Sequence, residues 1–238
     1  MITAGGRVGA PFCEKIGTTV KALAVVGGTT MLERAITAAR GVGAQRIAVV
    51  CGFEVRERYG SLIDRVIPEH ESGAENLRSA LHAFDGDLLY LSSDLPFITA
   101  AQLRDFLGRV PASAIAMPLA DATAYEGRFP DAPAHATAIG RERVANGSVF
   151  MLPSGAASRI VAVAEQFFNA RKSLLRMATL LGPRLLAKYA CGMLRIADVE
   201  RRASTVLGFP VHAIRDCAPE LCYDVDDFDD YLYARRHA

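Results

Sequence analysis

Short apolar runs, each ended by glycine, proline or polar residues, recur along the first 155 residues of the chain. A continuous apolar run of about four to eight residues is typical of a strand covered on both faces of a parallel sheet. The first run, Ile2-Thr3-Ala4, leads directly into Gly5-Gly6. The pattern predicts strands at residues 2–4, 22–26, 47–50, 88–91, 114–118, 134–139 and 148–152.

Stretches with apolar residues at helical spacing lie between several of these runs. One begins after Thr29 or Thr30, either of which can cap a helix, and continues to Ala39. Two more cover residues 76–84 and residues 99–110, the second with Thr99 as its cap. Strands that alternate with helices predict an α/β fold, with a doubly wound, mostly parallel sheet flanked by helices.

The length of 238 residues fits one large domain. We expect a single domain over residues 1–238, with a core formed by residues 1–155 and 209–238. Residues 156–208 have an almost purely helical pattern and are predicted to form an extra helical block. Because only four residues precede Gly5, and strands usually run about 5–6 residues, we also expect the natural chain to begin upstream of Met1.

The predicted helical block is basic. Between Arg159 and Glu220 there are ten Lys and Arg against five Asp and Glu. Our main interpretation is a set of amphipathic helices packed on the sheet, with basic faces in water. Two alternatives remain open: a basic cap over the phosphate of an acceptor, or a surface for a membrane or protein partner.

The composition narrows the classes of function. Apolar residues make up 51% of the chain and charged residues 22%, which is typical of a globular protein. The net charge is only +1, so the overall charge does not indicate a nucleic-acid partner. The five cysteines are scattered without a Cys-x-x-Cys pair, which argues against a disulfide framework or a zinc site. No apolar run reaches the roughly 18–20 residues of a spanning helix. We expect a soluble protein of the cytoplasm.

The glycine pair after the first predicted strand is a candidate phosphate-binding loop. In Ala4-Gly5-Gly6-Arg7 the glycines carry no Cβ, so backbone N–H groups can approach a phosphate closely, although an ordinary tight turn has the same pattern. The loop is neither a P-loop nor a dinucleotide fingerprint. Lys21, just before the second apolar run, could place an ammonium group where phosphate charge develops, or could be an exposed lysine.

Two acidic segments are candidates for a metal site. Asp94, in Asp94-Leu95-Pro96, follows the buried run 88–91, so its carboxylate is expected at the carboxyl end of a strand, where Mg²⁺ could bind through oxygen. The aspartates of residues 224–230 would repel one another unless a cation lies nearby. Asp226 is the candidate second ligand. The alternatives are loop or helix-capping aspartates at both places.

Taken in order, these segments resemble the MobA-like nucleotidyltransferase superfamily. The resemblance lies in Thr3-Ala4-Gly5-Gly6, in the stretch from Lys21 to Glu33, in Asp94-Leu95-Pro96 and in residues 223–232. It covers about the first 155 residues and the C-terminal tail. It implies the GT-A fold of the nucleotide-diphospho-sugar transferases, with the helical block 156–208 as an addition.

The resemblance also implies roles for individual residues. Ala4, Gly5, Gly6 and Arg7 would surround the triphosphate of an NTP, Lys21 would contact the α-phosphate, and Asp94 and Asp226 would hold Mg²⁺. Gly73 and Asn76 would contact the base or the ribose, and Asn146 and Gly147 the acceptor. The five histidines form no recognisable pair, and we expect each of them to be structural or exposed.

The implied reaction is transfer of a nucleoside monophosphate from an NTP, with GTP as the donor by resemblance, to a phosphorylated small molecule. Two departures from the family pattern stand out. The loop after the glycines lacks the usual Arg-[Met or Phe]-Gly triplet, so Arg7 or Lys15 would substitute for its arginine. The helical block has no counterpart in the compact guanylyltransferase that builds the molybdenum cofactor.

The alternative functions are a cytidylyl or sugar-1-phosphate nucleotidyltransferase, a glycosyltransferase on the same fold, or a non-catalytic nucleotide-binding module. Membrane contact through the block is less favoured.

Overall fold

The computed structural model describes residues 1–71, 73–84, 86–133, 135–170 and 182–238. Nine strands of this part of the chain form one sheet. They are β1 (Ile2–Thr3), β4 (Ala48–Cys51), β5 (Arg65–Pro68), β6 (Leu88–Ser92), β7 (Ile115–Asp121), β8 (Ala136–Ile139), β9 (Glu142–Asn146), β10 (Val149–Leu152) and β11 (Val211–Ile214). The short strands β2 (Val25–Val26) and β3 (Thr29–Thr30) pair separately as a hairpin.

The sheet follows the order β5-β4-β1-β6-β10-β7-β9-β8, with β11 also beside β7. The strands β5, β4, β1 and β6 are parallel neighbours, and β11 is parallel to β7. The strand β10 runs antiparallel between β6 and β7, and β9 runs antiparallel to both β7 and β8. This mixed, mostly parallel sheet flanked by helices confirms the predicted fold class.

Helices cover both faces of the sheet. In the described residues they are α1 (Phe12–Ile16), α2 (Met31–Gly41), α3 (Phe53–Tyr59), α4 (Gly73–Leu81), α5 (Ala100–Gly108), α6 (Ala122–Arg128), α7 (Ala156–Ala170), α8 (Pro183–Ala190), α9 (Ile196–Leu207) and α10 (Phe228–His237). Side chains alternate between the two faces along a strand. Accordingly, Val49 joins the core that includes α2 and α5, whereas Val50 joins the core that includes α4 and the start of α7.

Several local signals of the sequence are confirmed. The side chain of Thr30 caps α2 by accepting from the N–H of Glu33, and Thr99 caps α5 in a capping box with Gln102. The strands predicted around residues 47–50, 88–91, 114–118 and 148–152 are present as β4, β6, β7 and β10.

The predicted strand at residues 22–26 is wrong. Residues 21–23 form a turn of 3₁₀ helix, and Val25–Val26 alone are extended. Two local backbone hydrogen bonds close this turn, from the N–H of Leu23 to the carbonyl of Val20 and from the N–H of Ala24 to the carbonyl of Lys21. Gly27 and Gly28, with positive φ angles of 59° and 85°, then fold β2 back onto β3 in a tight hairpin. The pattern also missed α3, α6, β5, β9 and β11, whose mixed polarity shows no clear period.

The helical block contains α7, α8 and α9, and α7 packs against α4. Residues 171–181 of the block lie outside the described residues, as does Ala134 of the predicted strand 134–139. Part of the basic excess is neutralised inside the block, because Lys188 and Arg201 both bind the buried carboxylate of Asp198. Among the residues that the structure describes, no helix is both long and apolar enough to cross a bilayer.

Candidate active site

The two ends of the loop that follows β1 are held together by backbone hydrogen bonds. The N–H of Val8 donates to the carbonyl of Thr19 at 2.8 Å, and the N–H of Lys21 donates to the carbonyl of Gly6 at 2.9 Å. The intervening segment is anchored by α1, where the buried ring of Phe12 stacks on Tyr231 with centroids 4.8 Å apart. The sequence separates Lys21 from the glycine pair, but this closed loop makes them neighbours.

The ammonium group of Lys21 lies at the centre of the site. Its Nζ is 2.5 Å from Oδ2 of Asp94 and donates to the carbonyl of Val225 at 2.8 Å. The side chains of Lys21 and Asp94 are 15% and 11% exposed, so this ion pair is largely shielded from water. The other carboxylate oxygen of Asp94 accepts from the hydroxyl of Ser92, at the end of β6. Asp94 therefore lies at the carboxyl end of its strand, as the sequence predicted.

The second acidic segment is attached to the first through the backbone. The N–H of Val225 donates to the carbonyl of Asp94 at 3.0 Å, so residues 224–226 run beside the end of β6. Burial of its carboxyl group raises the pKa of Asp226, the charge of Asp224 raises it further, and Lys21 opposes the rise while Asp94 adds to it. Asp226 and Asp94 thus feel each other's charge, as expected of two carboxylates facing one small volume.

These residues fit a magnesium ion. The neighbouring negative charges that raise the pKa of Asp226 are the environment that a bound cation would relieve. In the described part of the chain no three His, Cys, Asp or Glu side chains converge as a metal cluster. Mg²⁺ needs no such cluster, because it is commonly held by one or two carboxylates together with water and substrate phosphates.

His135 pairs with two other aspartates of the acidic segment. Its Nε2 is 3.1 Å from Oδ1 of Asp230 and its Nδ1 is 3.5 Å from Oδ1 of Asp224. Hydrogen bonding to Asp224 and then to Asp230 raises the pKa of His135 to about 9, against the opposing effect of burial. A protonated His135 therefore supplies part of the positive charge that offsets the repulsion among these aspartates. No motif or spacing in the sequence indicates this pairing.

Gly147 is required by close packing. A Cβ at this position would lie 2.5 Å from the carbonyl oxygen of Leu221 and 2.5 Å from Cγ of Pro118. The tight approach brings Ser148 to the acidic segment, where its hydroxyl donates to Oδ2 of Asp224 at 2.8 Å. Asn146, the other predicted acceptor-binding residue, ends β9 and is exposed.

Arg7 is paired with a carboxylate that the sequence analysis did not identify. Its guanidinium binds Glu69, the residue after β5. The ion pair lies against two glycines: a Cβ on Gly5 would be 2.9 Å from Oε2 of Glu69, and one on Gly52 would be 2.9 Å from Nη2 of Arg7. Arg7 and Gly5 are therefore adjacent, and the negative charge of Glu69 is compensated beside the glycine loop.

Gly73 and Asn76 lie at the far end of this edge of the sheet. Gly73 begins α4, which follows β5. The amide of Asn76 accepts from the N–H of His70 at 2.6 Å and donates to its carbonyl at 3.0 Å. Contact of Asn76 with a base or ribose remains a prediction, and it would compete with these two bonds.

The structure thus brings Gly6, Lys21, Asp94 and Asp226 into one cluster. It separates that cluster from Gly73 and Asn76 by the width of β1 and β4. Sequence reasoning missed four side chains that shape the site: Glu69, Ser92, His135 and Ser148. None of these belongs to a recognisable motif. The contacts of Glu69, His135 and Ser148 join positions far apart in the chain, whereas Ser92 bonds Asp94, two residues away.

Comparison with known proteins gives one family. The sequence-family model of the MobA-like NTP transferase domain matches residues 1–222 of this chain. A hypothetical transferase from Thermus thermophilus is similar over 97% of both chains, with a TM-score of 0.83 and 28% identity. A Mycobacterium tuberculosis protein solved in complex with manganese shares the fold, covering 100% of this chain and 97% of its own, with a TM-score of 0.55 and 17% identity.

Among curated proteins, the bifunctional protein GlmU of Corynebacterium jeikeium is 29% identical over 102 residues. The match covers 37% of this chain and 21% of that relative, so it spans about a fifth of the relative's length. The family match, by contrast, includes the glycine loop, Lys21 and Asp94. With a family model over residues 1–222 and a fold shared along the whole chain, the protein belongs to the MobA-like NTP transferase domain family of nucleotidyltransferases.

Proposed function

We propose that this protein transfers a nucleoside monophosphate from an NTP to a phosphorylated small-molecule acceptor and releases pyrophosphate, with Mg²⁺ as the cofactor. The observation that carries the proposal is the shielded ion pair of Lys21 and Asp94 beside Gly6, with the exposed carboxylate of Asp226 close enough to feel both charges. It joins a cation for a phosphate to two carboxylates for a metal, at the carboxyl ends of parallel strands, where ligands of α/β sheets bind.

The strand order suggests how an NTP would lie. Asp94 follows β6, the glycine loop follows β1, and Asn76 lies beyond the end of β5, with β4 in between. At about 4.8 Å per strand, the edge from β6 to β5 spans roughly 14 Å, enough for a nucleotide in an extended form. The α-phosphate would lie near Lys21, the other phosphates near Gly5 and Gly6, and the nucleoside over β4 and β5.

The acceptor would attack in line. One of its phosphate oxygens forms a bond to the α-phosphorus of the NTP as the bond to the pyrophosphate oxygen breaks. A phosphate monoester, with a second pKa of about 6, is already largely ionised at neutral pH, so the attacking oxygen needs no general base. The ammonium group of Lys21 would stabilise the negative charge that grows on the α-phosphate oxygens.

Asp94 and Asp226 would hold the magnesium ion. When bound, the ion would supply charge neutralisation on the phosphate oxygens. Lys21 binds both Asp94 and the carbonyl of Val225, so binding of the nucleotide is expected to redirect the Lys21 ammonium group from Asp94 to phosphate. Ser92 keeps the Asp94 carboxylate oriented during this exchange.

Guanine is the proposed base, and the resemblance to the family is its basis. The test is thermal unfolding with ATP, GTP, CTP and UTP, each with and without Mg²⁺, followed by an assay of pyrophosphate release with sugar and polyol phosphates. A ligand at 100 times its dissociation constant adds about 2.7 kcal/mol to the free energy of unfolding. We expect stabilisation by GTP that depends on Mg²⁺, and pyrophosphate release once the acceptor is added.

The other outcomes separate the alternatives. Stabilisation by a nucleotide without pyrophosphate release for any acceptor would indicate a binding module. Stabilisation by nucleotide sugars and by none of the four triphosphates would indicate a glycosyltransferase. Either result would contradict the proposed reaction.

A further inference from the structure

His135 lies where α6 gives way to β8, remote in sequence from every motif of the proposed site. Its imidazole is 12% exposed and packs against the rings of both Tyr125 and Tyr223, with centroid distances of 5.8 Å and 5.2 Å. Both ring nitrogens face carboxylates: Asp230 at 3.1 Å and Asp224 at 3.5 Å. This is a bridge between two aspartates that lie on either side of Asp226.

Each aspartate is in turn bonded to the rest of the segment. Oδ2 of Asp230 accepts from the N–H of Asp226 at 2.9 Å and from the N–H of Asp227 at 3.1 Å. Asp224 is held by Ser148 at 2.8 Å and precedes Val225, whose carbonyl accepts from Lys21. His135 therefore acts on Asp226 through Asp230, and on the Lys21 contact through Asp224.

We propose that His135 is a positioning residue, which clamps Asp224 and Asp230 so that Asp226 faces Asp94 and the carbonyl of Val225 faces Lys21. The inference rests on the proposed function for its catalytic consequence. Its structural basis is independent: a hydrogen bond to Asp230 and an ion pair with Asp224, both largely shielded from water, hold a short acidic loop whose carboxylates would otherwise repel one another. Positioning groups behind a metal ligand typically change activity by about 10–100-fold.

The kinetic test compares two replacements. His135→Phe keeps an aromatic ring against Tyr125 and Tyr223 but removes both nitrogens, whereas His135→Gln restores a donor. We expect His135→Phe to lower kcat by roughly 10–100-fold, with KM for the NTP changed less than about threefold, and His135→Gln to recover part of the loss. His82→Phe, at an exposed histidine just beyond the C-terminus of α4, is the matched control and should leave kcat unchanged.

A double-variant cycle tests whether His135 acts through Asp230. The variant with both His135→Phe and Asp230→Asn should be no slower than the slower single variant, because both changes break the same link. Losses that multiply, or a His135→Phe variant that keeps more than half of the wild-type kcat, would overturn the proposal.

Amide hydrogen exchange tests the positioning role of His135 without an activity assay. In His135→Phe, the peptide that covers residues 224–230 should exchange at least about tenfold faster, while the peptides of β4 and β6 keep their protection. Equal exchange of that peptide in both proteins would overturn the role of His135. If the wild type releases no pyrophosphate with any NTP, the proposed function fails, and the exchange result alone then supports or overturns the clamp.

Discussion

The ammonium group of Lys21 is 2.5 Å from Oδ2 of Asp94, and it also donates to the carbonyl of Val225 at 2.8 Å. One cation thus joins three segments: the end of the glycine loop, the turn after β6 and the acidic segment before α10. The group proposed to bind phosphate and a group proposed to bind metal thus form an ion pair with each other. The predictions that follow test this arrangement and the packing around it.

Removal of either proposed metal ligand should abolish turnover without unfolding the protein. We expect Asp94→Asn and Asp226→Asn each to lower Mg²⁺-dependent pyrophosphate release by at least about 100-fold, because the change removes a charge at constant shape. Asp229→Asn, at an exposed aspartate of the same segment, is the control and should keep full activity. An Asp94→Ala variant with more than about a tenth of the wild-type activity, a loss below ~1.4 kcal/mol, would contradict the assignment.

Loss of the Lys21 ammonium group should act on the chemical step. Lys21→Met keeps much of the length of the side chain, and we expect kcat/KM to fall by roughly 100- to 1,000-fold, the usual cost of losing one group that stabilises transition-state charge. Lys15→Met, at the exposed lysine of α1 that the family resemblance left as an alternative to Arg7, should lower kcat/KM far less. If the two variants lose equal amounts, Lys21 has no special role and the loop acts only through its overall charge.

Gly147 should tolerate no side chain. In Gly147→Ala the new Cβ meets the carbonyl oxygen of Leu221 and the ring of Pro118 at 2.5 Å, so the backbone must shift. We expect the free energy of unfolding to fall by about 1–3 kcal/mol, measured by chemical denaturation. Gly127→Ala, in the exposed helix α6 with nothing within 4 Å of its Cβ, should instead be neutral or stabilising by up to about 1 kcal/mol. If both variants are as stable as the wild type, the backbone around Gly147 can shift at no cost in free energy of unfolding, and the prediction is wrong.

The charge of His135 should make stability depend on pH in a defined direction. Asp224 and Asp230 raise its pKa from 6.5 to about 9 in the folded protein, so folding favours the protonated ring. The resulting stabilisation is fully present below pH 6.5 and is lost as the pH rises through about 9. The melting temperature of the wild type should therefore exceed that of His135→Phe most at pH 6 and much less at pH 10.

The control for this prediction is again His82→Phe, whose difference from the wild type should not follow the same curve. A gap between wild type and His135→Phe that is constant from pH 6 to pH 10 would mean that the ring stabilises the fold by packing alone.

The amino-acid sequence by itself determined the fold class and the residues at the ends of its strands. Buried runs, the caps Thr30 and Thr99, and the position of Asp94 after an apolar strand depend on neighbours within a few residues, and such local signals are legible without tertiary contacts. The same reasoning failed at residues 22–26, where a 3₁₀ turn closed by local backbone hydrogen bonds takes the place of the first part of the predicted strand.

The tertiary structure alone decided which charges meet. The strand order inserts β1 between β4 and β6, which brings Lys21 to Asp94 and, across 204 positions of the chain, to Val225. It also brings His135 to Asp230, 95 positions away, and Arg7 to Glu69. A single sequence contains no local trace of such pairs, because their energy arises from distance and shielding that exist only after the sheet has formed.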